Sequence, residues 1–181
     1  LSVDLRYVNQ YLERRYITFL LMGDSVTPQA ALDRIKAWRL GDQVQMPGMI
    51  LDKQQLRRNL STADVCLSPE PLTPLNARST FIKIGDYMAL GKPVVATDLT
   101  ETRYTAQDAA RYVPPGDTAA FGRAIVELID DPARREQMGD YARQRTLNEL
   151  SWEHQQAHLF RLYEIALSAP RVVSTPRRKV T

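Results

Sequence analysis

Apolar residues recur along this chain in two alternating spacings, and these spacings predict its secondary structure. Short continuous apolar runs are typical of strands covered on both faces. Apolar residues three or four positions apart predict helices with one buried side. Strands are predicted at residues 16–22, 44–46, 64–67, 94–96 and 111–113, and helices at residues 2–14 and after the cap-type residues Thr27, Asp52, Ser79, Asp117, Asp131 and Ser151. This alternation predicts an α/β fold, a doubly wound Rossmann-like parallel sheet with helices on both faces.

The stretch from Ser79 to Asp98, STFIKIGDYMALGKPVVATD, shows the alternation most clearly. Ser79 and Thr80 are residues that often cap the start of a helix. The helix then carries apolar residues at helical spacing: Phe81, Ile84 and Met88. Gly91 is placed to end it in a left-handed conformation, and a buried strand follows. By contrast, the polar stretch 99–108 predicts a loop with at most one helical turn.

Composition narrows the class of protein only a little. The 181 residues carry a net charge of +3, which suits an anionic ligand weakly because much of it lies at the C-terminus. Cys66, the single cysteine, excludes an intrachain disulfide and is interpreted as a small buried residue. We predict one domain over residues 1–167 and a disordered basic tail over residues 168–181.

Four loops leave the predicted carboxyl ends of strands, where ligands bind to sheets of this kind. They are Gly23–Ser25, Gly48–Ile50, Ser68–Lys83 and Asp98–Arg103. In the third loop, backbone N–H groups near residues 79–82 open a helix, whose partial positive charge suits a diphosphate. The alternative is an ordinary capped helix without a ligand.

Four segments also resemble one known family: ADVCLSP, DYMALGKPVVATD, YVPPGD and the helix from Ser151 to Tyr163. Together they resemble the donor-binding half of retaining GT-B glycosyltransferases of family 4, over roughly Tyr16 to Leu167. In that family the central helix opens with a form of E-x7-E. Asp86 stands on the second glutamate, and Ser79 is interpreted as replacing the first.

The resemblance implies a site for a nucleotide-diphosphate sugar. It places the diphosphate at the helix start, where the candidates are the backbone of Ser79, Thr80, Phe81 and Ile82 and the side chain of Lys83. It places the ribose hydroxyls at Asp86 and the transferred sugar at the side chain of Ser79, which brings no charge. It identifies Gly23 and Asp24 as part of the first glycine loop, which approaches the ligand closely. It identifies Met49 and Ile50 as the residues that pack on the nucleobase. Solvent exposure is the alternative for Asp86 and Lys83, and core packing is the alternative for Met49 and Ile50. Trp152 and Tyr163 are interpreted as core residues.

No metal or other cofactor is expected, since the chemistry of the resembled family is metal-independent. His154 and His158 lie four positions apart but lack the glutamate of an H-E-x-x-H motif, so they are interpreted as surface residues. Catalytic residues are left unassigned. The cluster Arg177–Lys179 suits anionic lipid or nucleic acid, and its alternative is a solubilising tail; no nucleic-acid partner is predicted.

The predicted function is transfer of a hexose from a UDP- or GDP-linked donor to a polysaccharide or glycolipid acceptor, with retention. The resemblance also implies an N-terminal acceptor domain and a first strand that this chain lacks, so the chain alone is expected to be inactive. The expected location is cytoplasmic, with possible peripheral contact at the inner membrane face. A nucleotide-binding module without catalytic activity is the alternative, and a flavodoxin-like or receiver domain is a third reading.

Overall fold

The computed structural model describes residues 17–23 and 28–168. Its strands are β1 (Phe19–Met22), β2 (Val44–Gly48), β3 (Cys66–Ser68), β4 (Val94–Thr97) and β5 (Ala110–Val113). Its α-helices are α1 (Pro28–Ala37), α2 (Lys53–Ser61), α3 (Ile82–Ala89), α4 (Thr100–Ala106), α5 (Thr118–Asp130), α6 (Pro132–Arg145) and α7 (Trp152–Ser168). Short 3-10 turns lie at Asn76–Arg78 and Gln107–Ala109, and a π-helical turn at Thr146–Leu150 joins α6 to α7.

All strand pairs in the described residues are parallel, as the sequence predicts. Strands β1 and β2 form one pair, and β3, β4 and β5 form a second sheet in that order. The two sheets meet at one hydrophobic cluster, which contains Phe19 of β1 together with Val95 of β4 and Val113 of β5. The fold is therefore α/β and Rossmann-like, with its strands divided between two sheets.

Helices cover both faces of the three-stranded sheet. Successive strand residues point to opposite faces. Val95 and Val113 pack in the larger cluster with Phe121 and Ile125 of α5. On the other face, Ala110 packs against a second cluster that includes Ile84 and Met88 of α3 and Ala142 of α6. All four residues of β4 are buried, which explains the unbroken apolar run over Val94–Ala96.

Several predicted helix ends are confirmed by their hydrogen bonds. The carboxylates of Asp52, Asp117 and Asp131 each accept a backbone N–H in the first turn of α2, α5 and α6. Gly91 has a φ of 66°, and its N–H donates to the carbonyl of Met88 at 2.9 Å. These caps rest on residues close in sequence, so the local pattern is sufficient to predict them.

Four helices also have C-terminal carbonyls bound by a basic side chain from outside the helix, and in three of them that side chain lies 31 to 54 positions away. Lys92 donates to Ser61 at the end of α2 (2.7 Å), and Arg143 donates to Ala89 at the end of α3 (3.0 Å). Arg145 and Arg135 do the same for α4 and α5. Cations are stabilising at the negative end of a helix. Some of the basic side chains therefore stabilise the fold by binding the C-terminal ends of its helices.

Three sequence predictions are wrong. The stretch 99–108 contains helix α4, because Thr102, Thr105 and Ala106 are buried although the sequence is mostly polar. Ser79 and Thr80 do not cap α3, as described below. Trp152 and Tyr163 are exposed, and no residue of α7 is buried among the described residues.

The predicted helix at 2–14, the turn residues Asp24 and Ser25 and the predicted tail beyond Ser168 lie outside the described residues. The division of the chain into residues 1–167 and 168–181 stays a prediction.

Cys66 is buried at the start of β3, as predicted. Burial raises the pKa of its thiol to about 12, and Lys92 offsets this only in part. At pH 8.5 we expect alkylation by iodoacetamide to be at least roughly a hundredfold slower in the folded protein than in urea, because the thiolate is the reactive form. Mass spectrometry of the Cys66 peptide measures both rates; comparable rates would contradict the burial.

The sign of the pH dependence follows from the same shift. The folded state holds the thiol proton more tightly than the unfolded state, so Cys66 contributes stability below its unfolded pKa. That contribution is lost as pH rises towards about 12.

Candidate functional site

The carboxyl ends of the strands place several polar segments at one edge of each sheet. Strand β3 ends at Ser68, β4 ends at Thr97 beside Asp98, and α3 begins at Ile82 after the loop that leaves β3. In parallel sheets this edge is where ligands bind. The region around the start of α3 is therefore the candidate site.

No side chain caps the N-terminus of α3. Its N-cap is Phe81, which has extended backbone angles and makes no side-chain cap hydrogen bond. Ser79 donates its hydroxyl to the carbonyl of Leu75 at 2.8 Å, and Thr80 Oγ1 lies 3.3 Å from Oε2 of Glu101. The two residues predicted to cap the helix thus bond elsewhere, and the N–H groups of Ile82 and Lys83 face no side-chain cap.

Asp86 lies one turn further along α3 and is exposed. Gly85 stands beside it, and no heavy atom lies within 4 Å of the position that a Cβ would take there. Glycine inside a helix is unfavourable by about 1 kcal/mol relative to alanine. Open space and a bare backbone at this point leave room for a ligand next to the carboxylate.

Lys83 forms an ion pair that the sequence did not predict. Its Nζ contacts Oε1 of Glu70, and the buried hydroxyl of Ser68 donates to Oε2 of the same carboxylate at 2.5 Å. The Nζ also lies 5.8 Å from the centre of the Phe81 ring. Glu70 is the functional-site candidate that the sequence reasoning missed; its position two residues after the end of β3 was the available signal.

A second charged group lies at the end of β4. Arg103 of α4 binds Asp98 through two bonds, Nε–Oδ1 at 2.6 Å and Nη2–Oδ2 at 2.7 Å. Its guanidinium stacks 4.4 Å from the centre of the Tyr112 ring. The carboxylate raises the pKa of Arg103, and burial raises that of Tyr112 to about 12. This arrangement fixes α4 beside the candidate site.

The remaining predicted residues lie at the ends of β1 and β2. The N–H of Gly23, with a φ of 126°, donates to the carbonyl of Gly48 at 3.0 Å. Met49 is 59% exposed and Ile50 is partly buried, so Met49 is free of the core packing that was its alternative. Asp24 lies outside the described residues.

Within residues 17–23 and 28–168, no group of three or more His, Cys, Asp or Glu side chains is placed to hold a metal ion. His154 and His158 are exposed, and Nε2 of His154 lies 3.0 Å from the carbonyl of Leu147. No described helix is both long enough and apolar enough to cross a membrane.

Comparison with known proteins decides the family. A sequence model described as "Glycosyl transferases group 1" matches residues 3–131. This chain belongs to the group 1 glycosyltransferases. The resemblance drawn from its motifs is thereby confirmed, and the flavodoxin-like and receiver readings are set aside.

Individual proteins that are similar to this chain support the same family assignment. A phosphatidyl-myo-inositol mannosyltransferase of Mycobacterium leprae (strain TN) is 29% identical over 142 residues, 77% of this chain and 36% of the relative. A sucrose-phosphate synthase from Thermosynechococcus elongatus superposes with a TM-score of 0.73 at 25% identity, over 91% of this chain and 42% of that protein. An Anabaena protein solved in complex with UDP has the same fold, with a TM-score of 0.63 at 19% identity over 92% of this chain and 45% of that one.

This group 1 chain spans about a third of the length of its mannosyltransferase relative. The first glutamate of the E-x7-E motif corresponds to Arg78 in this chain, and not to Ser79. Seven residues separate the two glutamates of E-x7-E, so counting back from Asp86 reaches Arg78, the neighbour of Ser79. Arg78 is exposed at the end of the 3-10 turn. The position of the first glutamate is thus held by residues without a carboxylate on either count.

Proposed function

We propose that this chain is the donor-binding domain of a glycosyltransferase and that it binds a UDP- or GDP-linked hexose. The observation that carries the proposal is the start of α3, which lacks a side-chain cap and lies one turn before the exposed carboxylate of Asp86. A diphosphate accepts hydrogen bonds from such N–H groups and is stabilised by the helix dipole. The carboxylate accepts hydrogen bonds from ribose hydroxyls.

The other candidate residues have roles around these two anchors. Lys83 adds a positive charge in the first turn, and Ser79 and Thr80 border it. Gly23, directly after β1, would approach the donor, and Asp24 stays a candidate from the sequence alone. Met49 and Ile50 would pack against the nucleobase. During transfer, negative charge develops on the leaving diphosphate. The helix start and Lys83 would stabilise that charge electrostatically.

The full reaction requires an acceptor site. We propose that the acceptor is a polysaccharide or a glycolipid, that an N-terminal domain binds it, and that transfer retains the anomeric configuration. On this proposal residues 1–181 alone show no turnover. The missing carboxylate at the first E-x7-E position favours a second candidate, a nucleotide-binding module without catalytic activity.

We further propose chemistry without a metal or other cofactor and without a nucleic-acid partner. The proposed location is cytoplasmic, with peripheral contact at the inner face of the membrane. Arg177–Lys179 supports that contact, because clustered basic residues are attracted to anionic lipid.

Calorimetric titration with UDP and GDP tests the donor site. We expect saturable binding of one nucleotide and a loss of about tenfold in affinity for Asp86→Ala, since a hydrogen bond to a charged group contributes about 1.5–3 kcal/mol. Asp140→Ala is the matched control, because Asp140 is also an exposed helical aspartate but lies on α6. Equal affinity for both variants would contradict the ribose assignment, and no binding of either nucleotide would contradict the donor site.

A further inference from the structure

We propose that Glu70 is an internal competitor for the phosphate-binding lysine: it holds Lys83 when the site is empty and releases it to an entering diphosphate. The inference rests on the proposed function and adds a residue that tunes affinity. The Lys83 ammonium group, in the first turn of α3, donates a hydrogen bond to Glu70 and forms an ion pair with it, at the place where the diphosphate is proposed to bind. The two anions therefore compete for one ammonium group.

The Glu70 carboxylate is held in position by a hydrogen bond from the end of β3. Ser68 is 1% exposed at the end of β3, and its hydroxyl donates to Oε2 of Glu70. Oε1 contacts Lys83, so both oxygens have partners. The Glu70 side chain is only 15% exposed, and that of Lys83 is 38% exposed. Ser68 at the end of β3 thus holds the Glu70 carboxylate in place. The Lys83 ammonium group is partly exposed on a flexible side chain, so it is the partner that can move.

The exchange is favourable for a diphosphate in particular. A helix start stabilises negative charge, and here no side chain caps it. Glu70 is anchored to Ser68 and offers one oxygen to Lys83, whereas a diphosphate offers several oxygens to the lysine and to the N–H groups together. Glu70 consequently lowers the affinity of the site for small anions that bind Lys83 alone. Ligands that also bind the N–H groups of the helix start can still displace it.

Glu70→Gln tests this competition. Glutamine keeps an oxygen that can accept from Ser68 but removes the charge that binds Lys83. We expect UDP or GDP to bind about two- to fivefold more tightly, the factor that a partly exposed ion pair is worth. Affinity for uridine or guanosine, which lack phosphate, should not change. In a Lys83→Met background the Glu70→Gln gain should disappear.

A second readout follows the lysine itself. In the full chain without nucleotide, acetylation of Lys83 measured by mass spectrometry should be faster in Glu70→Gln than in the unmodified protein. Bound nucleoside diphosphate should protect Lys83 in both. Glu101→Gln is the charge control, because Glu101 hydrogen-bonds Thr80 and not Lys83; it should give no comparable gain in affinity or in acetylation.

The outcomes separate the two proposals. Unchanged or weaker nucleotide binding by Glu70→Gln, alongside normal binding by the unmodified chain, overturns the competition and leaves the donor site standing. An equal gain in the Lys83→Met background also overturns it, because Glu70 would then act without the lysine. Absence of nucleotide binding in every variant overturns both proposals.

Discussion

Replacing Gly139 by alanine is expected to destabilise the protein by about 2–3 kcal/mol, because a methyl group cannot fit where α6 crosses the turn after α3. A Cβ on Gly139 would lie 2.3 Å from the carbonyl oxygen of Gly91. That turn cannot easily move, since Gly91 has a φ of 66° and the N–H of Lys92 is bonded to the carbonyl of Tyr87 at 3.0 Å. The clash outweighs the gain of about 1 kcal/mol that alanine gives inside a helix. Urea unfolding followed by circular dichroism measures the difference.

Gly85→Ala is the matched control for Gly139→Ala. Both glycines lie inside helices, but a Cβ on Gly85 meets no atom within 4 Å. This variant should therefore be more stable than the unmodified chain by about 0.5–1 kcal/mol. If the two variants changed stability in the same direction, close backbone approach would not be the reason for glycine at position 139.

The features that the sequence predicts well depend on residues close together in the chain. The caps at Asp52, Asp117 and Asp131 and the glycine turn at Gly91 involve partners within a few positions. The buried run Val94–Ala96 is apolar enough to predict its own environment. The family resemblance rests on segments that include Gly91, Val94–Ala96 and Asp117, and so the α/β fold is predictable from the sequence.

The features that it misses depend on residues far apart. Ser79 and Thr80 have the chemistry of helix caps, yet Thr80 meets a carboxylate 21 positions away and Ser79 bonds back to Leu75. The sequence predicts either a phosphate ligand or a solvated side chain for Lys83, whereas its partner in the structure is Glu70 of the preceding loop. Local pattern gives the residue types at the site but not the pairs that they form.

Helix α7 shows a different limit. Its aromatic and aliphatic residues have helical spacing, which predicted burial of Trp152 and Tyr163. Both are exposed in the described residues. Periodicity indicates which side of a helix is apolar, but it does not say whether a partner surface lies within the same part of the chain.

Replacing Arg145 by methionine is expected to destabilise the protein by about 3 kcal/mol, because the guanidinium is the buried cap of α4. Arg145 is 6% exposed, and it donates to the carbonyls of Tyr104 at 3.0 Å and Thr105 at 3.1 Å. It also pairs with Glu149, which is largely exposed and can be hydrated again once the arginine is gone. The hydrogen bond to the Thr105 carbonyl is buried and that to the Tyr104 carbonyl is partly buried, so we expect these two bonds to account for most of the loss.

Arg143→Met separates burial from helix capping in general. Arg143 lies two positions earlier on α6 and also donates to a helix C-terminal carbonyl, that of Ala89 at 3.0 Å, but it is exposed. Its loss should change stability by no more than about 1 kcal/mol.

Arg145→Lys should lose an intermediate amount of stability, because an ammonium group lacks the planar fork that reaches two carbonyls and a carboxylate together. Equal losses for Arg143→Met and Arg145→Met in urea unfolding would show that burial of the guanidinium adds nothing. A larger loss for Arg145→Met would show that the buried guanidinium stabilises the contact of α6 with α4, the helix that carries Arg103 and Glu101.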